Sequence, residues 1–124
     1  MIINLTQHPA TAEQITAGVL DLPPARRASI CQLLTFDALP TYDEIEETAN
    51  SIALIADSFL PEEGPHQAMI GGAPWLMAPL EIALRNQIIT PIYAFSKRVS
   101  EEQLQPDGTV LKVARFKHEG FVEV

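Results

Sequence analysis

A single cysteine, Cys31, is all the thiol this chain holds. No disulfide can close within it, and a reducing compartment is the natural setting. Basic residues are also scarce, with eight Lys and Arg against sixteen Asp and Glu and a net charge of -8. A long polyanion is bound through a broad basic face, so a duplex nucleic acid is not an expected partner. No run approaches the roughly 20 apolar residues of a membrane span. The first residues have neither the basic start nor the long apolar core of a secretion signal, so a cytoplasmic protein with no membrane partner is expected. The glycines form neither the dinucleotide nor the P-loop fingerprint. The three histidines, His8, His66 and His118, lie far from one another and from Cys31 in the sequence, without the close ligand spacing of metal sites. No serine sits in a nucleophile elbow. Neither a metal nor a cofactor is expected.

What remains is an uneven charge distribution and a legible order of elements. Residues 37–63 hold eight acids and no base, whereas five of the eight bases fall between residues 97 and 117. At 124 residues the chain is read as one α/β domain, 1–124, long enough to bury a core without a staple. Residues 2–6 read as a buried strand. Thr11-Ala-Glu-Gln14 is a capping box for a short helix that stops at Gly18. VLDL (19–22) is either a short strand or a packed connection. Pro23-Pro24 opens a helix to about Leu34. Thr41-Tyr-Asp-Glu44 is a second capping box, followed by Ile45, Ala49, Ile52, Ala56 and Phe59 at helical spacing.

Farther on, AMIGG (68–72) is a strand ending in two glycines. The helix after it carries Pro79, which predicts either an irregular first turn at PWLM or a kink. TPIYAF is the next strand, near 90–96. Asp107-Gly108 and Lys117–Gly120 read as turns that divide the end of the chain into an antiparallel meander, 109–116 and 121–124. The resulting fold class is a Rossmann-like α/β domain. Its mixed sheet has parallel strands near 2–6, 68–71 and 90–96, and right-handed crossovers place helices on both faces.

The three parallel strands end in Thr6-Gln7-His8, Gly71-Gly72 and Ser96-Lys97-Arg98. Parallel neighbours bring such endings to one edge of the sheet, where open α/β folds bind ligands. The start of the helix after Gly72 offers free N–H groups to an anion. Thr6, Gln7, Gly71, Gly72, Ser96 and Arg98 are therefore the expected ligand-binding residues, with His8 and Lys97 the expected acid–base and charge-stabilising pair if the site is catalytic. Each has a plainer reading beside it: a tight strand-to-helix turn for the glycines, a loop histidine for His8, and edge-strand charges for Lys97 and Arg98.

The segments INLTQHPATAEQ, LLTFDALPTYDEIE, AMIGGAPWLMAPLEIAL, PIYAFSKRVS and FKHEGFVEV resemble a family of small uncharacterised bacterial and prophage proteins. The opening His8-Pro9-Ala10-Thr11-Ala12-Glu13-Gln14 is also similar to that of stand-alone CRISPR-associated proteins with CARF-like, Rossmann-type folds. That resemblance implies a homodimer that binds, and in some members cleaves, a cyclic oligoadenylate. The second expectation, from the acidic segment 37–63 and the apolar PWLM, is a non-enzymatic accessory protein that works by protein contact through its acidic helix.

Overall fold

The computed structural model describes all residues, 1–124. Its order is β1 (Ile2–Asn4), α1 (Ala12–Thr16), β2 (Val19–Asp21), α2 (Pro24–Leu34), α3 (Tyr42–Phe59), β3 (Gln67–Met69), α4 (Pro74–Asn86), β4 (Thr90–Leu104) and β5 (Val110–Glu123). The five strands form one sheet in the order β2-β1-β3-β4-β5. The first three pairings are parallel and β4 with β5 is antiparallel. The mixed α/β sheet expected from the sequence is present, and VLDL supplies its edge strand β2.

Local chemistry accounts for the helix limits. Thr11 and Gln14 cap α1 reciprocally, and Thr41 and Glu44 do the same for α3. Gly18, at φ 105°, ends α1 with its N–H on the Ile15 carbonyl. The end of α4 is a Schellman motif built without glycine. Ile88 takes φ 60°, its N–H reaches the Arg85 carbonyl, and the Ile89 N–H reaches that of Leu84. Burial of Leu84 and Ile89 together supplies the apolar contact that accompanies this motif.

The strand alternation sorts the core. Ile3, Leu5, Ala68 and Ile70 face α2, α3 and α4 and join them in one cluster with Ile30, Ile52, Leu76, Leu80 and Leu84. Val19, Met69 and Ile92 make a small second cluster on the opposite face. Because β1-to-β2 runs opposite in direction to the later crossovers, the right-handed rule puts α1 over that second face. It covers little, having no buried residue of its own.

Two expectations are corrected. The strand expected near 90–96 runs on to Leu104. The C-terminal meander of 109–116 and 121–124 is a single strand, β5, because Lys117–Gly120 is not a turn. Instead, Phe95 pairs with Gly120 and Ser96 with His118, so Glu119 is the extra residue of a bulge that absorbs the turn-like KHEG without reversing the chain. PWLM forms the first turn of α4, tightened by an i→i+3 bond from the Leu76 N–H to the Ala73 carbonyl at 3.0 Å, in keeping with the irregular turn expected there, and the helix continues through Pro79. The N–H that proline lacks would have gone to the carbonyl of Trp75, a residue half open to solvent. No helix is long and apolar enough to cross a membrane.

Candidate functional site at the β1–β3 switch point

The crossover from β1 goes to β2 on one side, and the next, from β2, returns past β1 to β3 on the other. The C-terminal ends of β1 and β3 therefore frame the crevice where doubly wound sheets hold ligands. A cavity of about 530 Å³ lies there, within the size range of small-molecule sites. Thr6, Gln7, His8 and Pro9 line it from the loop after β1, and Thr11 and Gln14 from the start of α1. Met69, Ile70, Gly71 and Gly72 come from β3 and its exit, Tyr93 and Ala94 from β4.

A buried asparagine organises the first of these walls. Asn4 is 1% exposed yet all its hydrogen-bonding capacity is used. Its Nδ2 donates to the His8 carbonyl at 2.7 Å and to Asp21 Oδ1 at 2.8 Å. Its Oδ1 accepts from the Thr6 N–H at 2.9 Å and the Thr6 hydroxyl at 2.6 Å. Asp21, at the end of β2, also takes the Ala10 N–H at 3.1 Å and faces Arg27 at 3.5 Å. Loop 5–10 is thus folded around one side chain. Just past the end of α2, Thr35 accepts a bond from Gln7 Nε2 at 3.3 Å, and from the helix itself the Cys31 thiol approaches the Gln7 carbonyl at 3.5 Å. With its carbonyl fixed in this way, His8 contributes an exposed imidazole to the cavity.

The opposite wall is shaped by backbone. Gly72 has φ 147°, a region almost confined to glycine. A Cβ on Gly71 would stand 3.7 Å from Thr6 Cγ2, across the gap between the two strand ends. The following helix has no side-chain cap at its N-cap, Ala73, and begins with Pro74; the Leu76 N–H goes to the Ala73 carbonyl at 3.0 Å, which leaves the Trp75 N–H of the first turn without a protein partner. At the far side, the Tyr93 hydroxyl donates to Glu81 Oε2 at 2.7 Å. Burial, and then the Glu81 carboxylate it bonds, push the Tyr93 phenol far above its ordinary value, so it stays protonated and a donor. No three His, Cys, Asp or Glu side chains gather in a geometry that could hold a metal.

Of the residues singled out from the sequence, Thr6, Gln7, His8, Gly71 and Gly72 share this cavity. Ser96, Lys97 and Arg98 do not line it; all three are exposed, farther along β4. The register explains the difference. Asn4, Met69 and Ile92 are level, so the rim on β4 falls at Tyr93 and Ala94, before the polar run begins. Tyr93 and the organising Asn4 were not anticipated. A buried Asn inside the apolar run IINL was the signal for the second.

The deciding match covers residues 1–122. The chain belongs to the uncharacterised MJ1673 family. No curated protein and no solved structure matches it. The family membership spans both the cavity and the β4–β5 hairpin of this MJ1673-family chain.

Proposed function

We propose that the cavity at the switch point binds a small phosphorylated or nucleotide ligand, in a Rossmann-like manner. The observation that carries this reading is the convergence of Thr6, Gln7, His8, Gly71 and Gly72 on one cavity beside the uncapped start of α4. The free Trp75 N–H and the positive end of the helix favour a phosphate there, while Pro9 and Tyr93 offer an apolar surface for a base. The short similarity of His8–Gln14 to CARF-like proteins adds a cyclic oligoadenylate to the candidate ligands.

If the ligand is cleaved, attack by a ribose 2′-hydroxyl needs no metal. The 2′-oxygen bonds to phosphorus as the bond to the 5′-oxygen breaks, leaving a 2′,3′-cyclic phosphate and a 5′-hydroxyl. His8 would take the 2′-proton, and the leaving oxygen would take a proton from water or from the imidazolium. Lys97 would have to reach back from β4 to offset the charge on phosphorus. Positioning of the ligand is the protein's main contribution.

Calorimetric titration with AMP, cyclic AMP and cyclic oligoadenylates tests the binding step. Saturable heat that disappears in His8→Ala and Gly71→Val supports it; no heat from any of them, at high protein concentration, overturns it. A second reading, protein contact without chemistry, is favoured by Leu39 and Tyr42, which are 95% and 74% exposed among the carboxylates at the start of α3.

A further inference from the structure

Beyond the rim of the sheet, β4 and β5 continue as a two-stranded arm. β3 pairs with β4 only as far as Ile92, whereas β4 and β5 stay paired out to Leu104 and Val110. The ten residues from Phe95 to Leu104 extend about 33 Å at the rise of a strand. That is more than twice the radius of gyration of about 14 Å expected for a chain of this length. The arm has no core. Phe95, Leu104, Val110, Leu111 and Phe116 are each more than half exposed, Phe116 at 72% and Leu104 at 76%. An isolated two-stranded ribbon is marginal in water, and apolar groups gathered on one projecting element mark a contact surface.

The charge of the arm indicates what covers it. Residues 95–118 carry five bases and three acids, so the arm is positive. The rest of the chain carries three bases and thirteen acids. One arm base, Arg115, is already paired with Glu101. Lys97, Arg98, Lys112 and Lys117 make no salt bridge within the chain. The densest group of acids lies at the start of α3, where Asp43, Glu44, Glu46 and Glu47 surround the exposed Tyr42 and Leu39. Basic and apolar on one element, acidic and apolar on the other: the two surfaces are complementary.

We propose that the chain is a two-fold dimer in which the arm of each copy lies against the acidic α3 face of the other. This names the partner of the contact reading and is independent of the ligand. A two-fold pair uses the same two surfaces twice and closes on itself, which leaves neither arm uncovered. The lysines that guard the edges of the arm disfavour strand-to-strand pairing, so its faces make the contact.

Sedimentation equilibrium of the full chain, from about 1 to 100 µM, tests the proposal with two variants. K97E/K117E makes the arm acidic, and D43K/E46K/E47K makes the start of α3 basic. Each alone should weaken dimerisation at least tenfold. An equimolar mixture should recover a dimer, because each variant's arm then opposes a surface of the other sign. Misfolding cannot produce that recovery. Raising salt from about 0.05 to 0.5 M should weaken the parent dimer through screening. A chain that stays monomeric across this range overturns self-association, while leaving the contact reading to a different partner. A dimer indifferent to both reversals, or two variants that do not recover when mixed, overturns the proposed surfaces.

Discussion

Replacing Asn4 tests whether loop 5–10 is held by one buried side chain. Asn4→Ala removes two donated and two accepted hydrogen bonds, each of net value about 1 kcal/mol. Part of that loss is recovered. The Thr6 hydroxyl, released from Asn4, can turn its one proton to the His8 carbonyl at 3.1 Å, and Asp21 keeps the Ala10 N–H and Arg27. What remains is a half-buried Thr6 N–H without a partner and the void of the carboxamide, for a loss of about 2–3 kcal/mol. In a domain of this size the melting temperature should fall by about 8–12 °C. Asn4→Asp is the sharper probe. It keeps an acceptor for Thr6 but turns the donor into a carboxylate oxygen 2.7–2.8 Å from the His8 carbonyl and Asp21 Oδ1. Two carboxylates so placed hold one proton tightly, so the folded state of this variant binds more protons than the unfolded state. Its stability should therefore rise as pH falls from neutrality toward the ordinary carboxylate range, opposite to the behaviour of a salt-bridged acid. Urea titrations followed by circular dichroism at several pH values measure both effects. A loss under about 0.5 kcal/mol for Asn4→Ala, within the scatter of surface changes, or a pH-independent Asn4→Asp, would refute the account of the loop.

Three further perturbations separate backbone from side-chain effects. Ile88 is β-branched, 84% exposed and held at φ 60°, so Ile88→Gly should stabilise the fold by about 1 kcal/mol in thermal melts. Gly72→Ala adds a Cβ with only ordinary contacts, 3.7 Å from Leu34 and Met77; any loss, expected at about 1–3 kcal/mol, reports the backbone alone. Gly71→Ala, without the positive φ, should leave stability unchanged and weaken only ligand binding in the calorimeter. Both tyrosines resist ionisation, Tyr93 through burial and then Glu81, Tyr42 through the adjacent Glu46 carboxylate. Absorbance at alkaline pH should show less phenolate in the folded than in the unfolded chain at pH values where free tyrosine is half ionised. The native state then holds protons the unfolded chain has released, so stability falls as pH climbs above that range. Normal titration of both phenols in the folded chain would contradict this.

Short-range chemistry was readable from the chain, whereas level and length were not. Thr11 with Gln14, Thr41 with Glu44, and Gly18 mark helix limits through bonds to residues within a turn, Pro24 through its fixed φ, and each marks its place in the structure. Strand length depends on a partner distant in sequence. The strand read near 90–96 stops short because nothing near Lys97–Glu102 shows that Val110–His118 returns alongside. Lys117–Gly120 has turn composition, and the residues that make turns also make bulges. The same limit applies to the cavity. Two of its walls follow from parallel neighbours, and Thr6–His8 meets Gly71-Gly72 as expected. The third was misplaced toward Ser96–Arg98 because the rim on β4 is set by register with Met69, and no residue of β4 records that register locally.

The slight cover over the second sheet face has a consequence for motion. α1 is five residues long, buries none of them, and is tied to the hairpin by one hydrogen bond, from the His118 N–H to Glu13 Oε2 at 2.9 Å. Its amides should exchange with deuterium sooner than those of α3 or α4, through a local opening that leaves the main core intact. Thr11 and Gln14 ride on that segment, so the same fluctuation also unlatches one wall of the cavity. Slowed exchange between residues 11 and 18 would then register occupancy of the site, whatever molecule fills it.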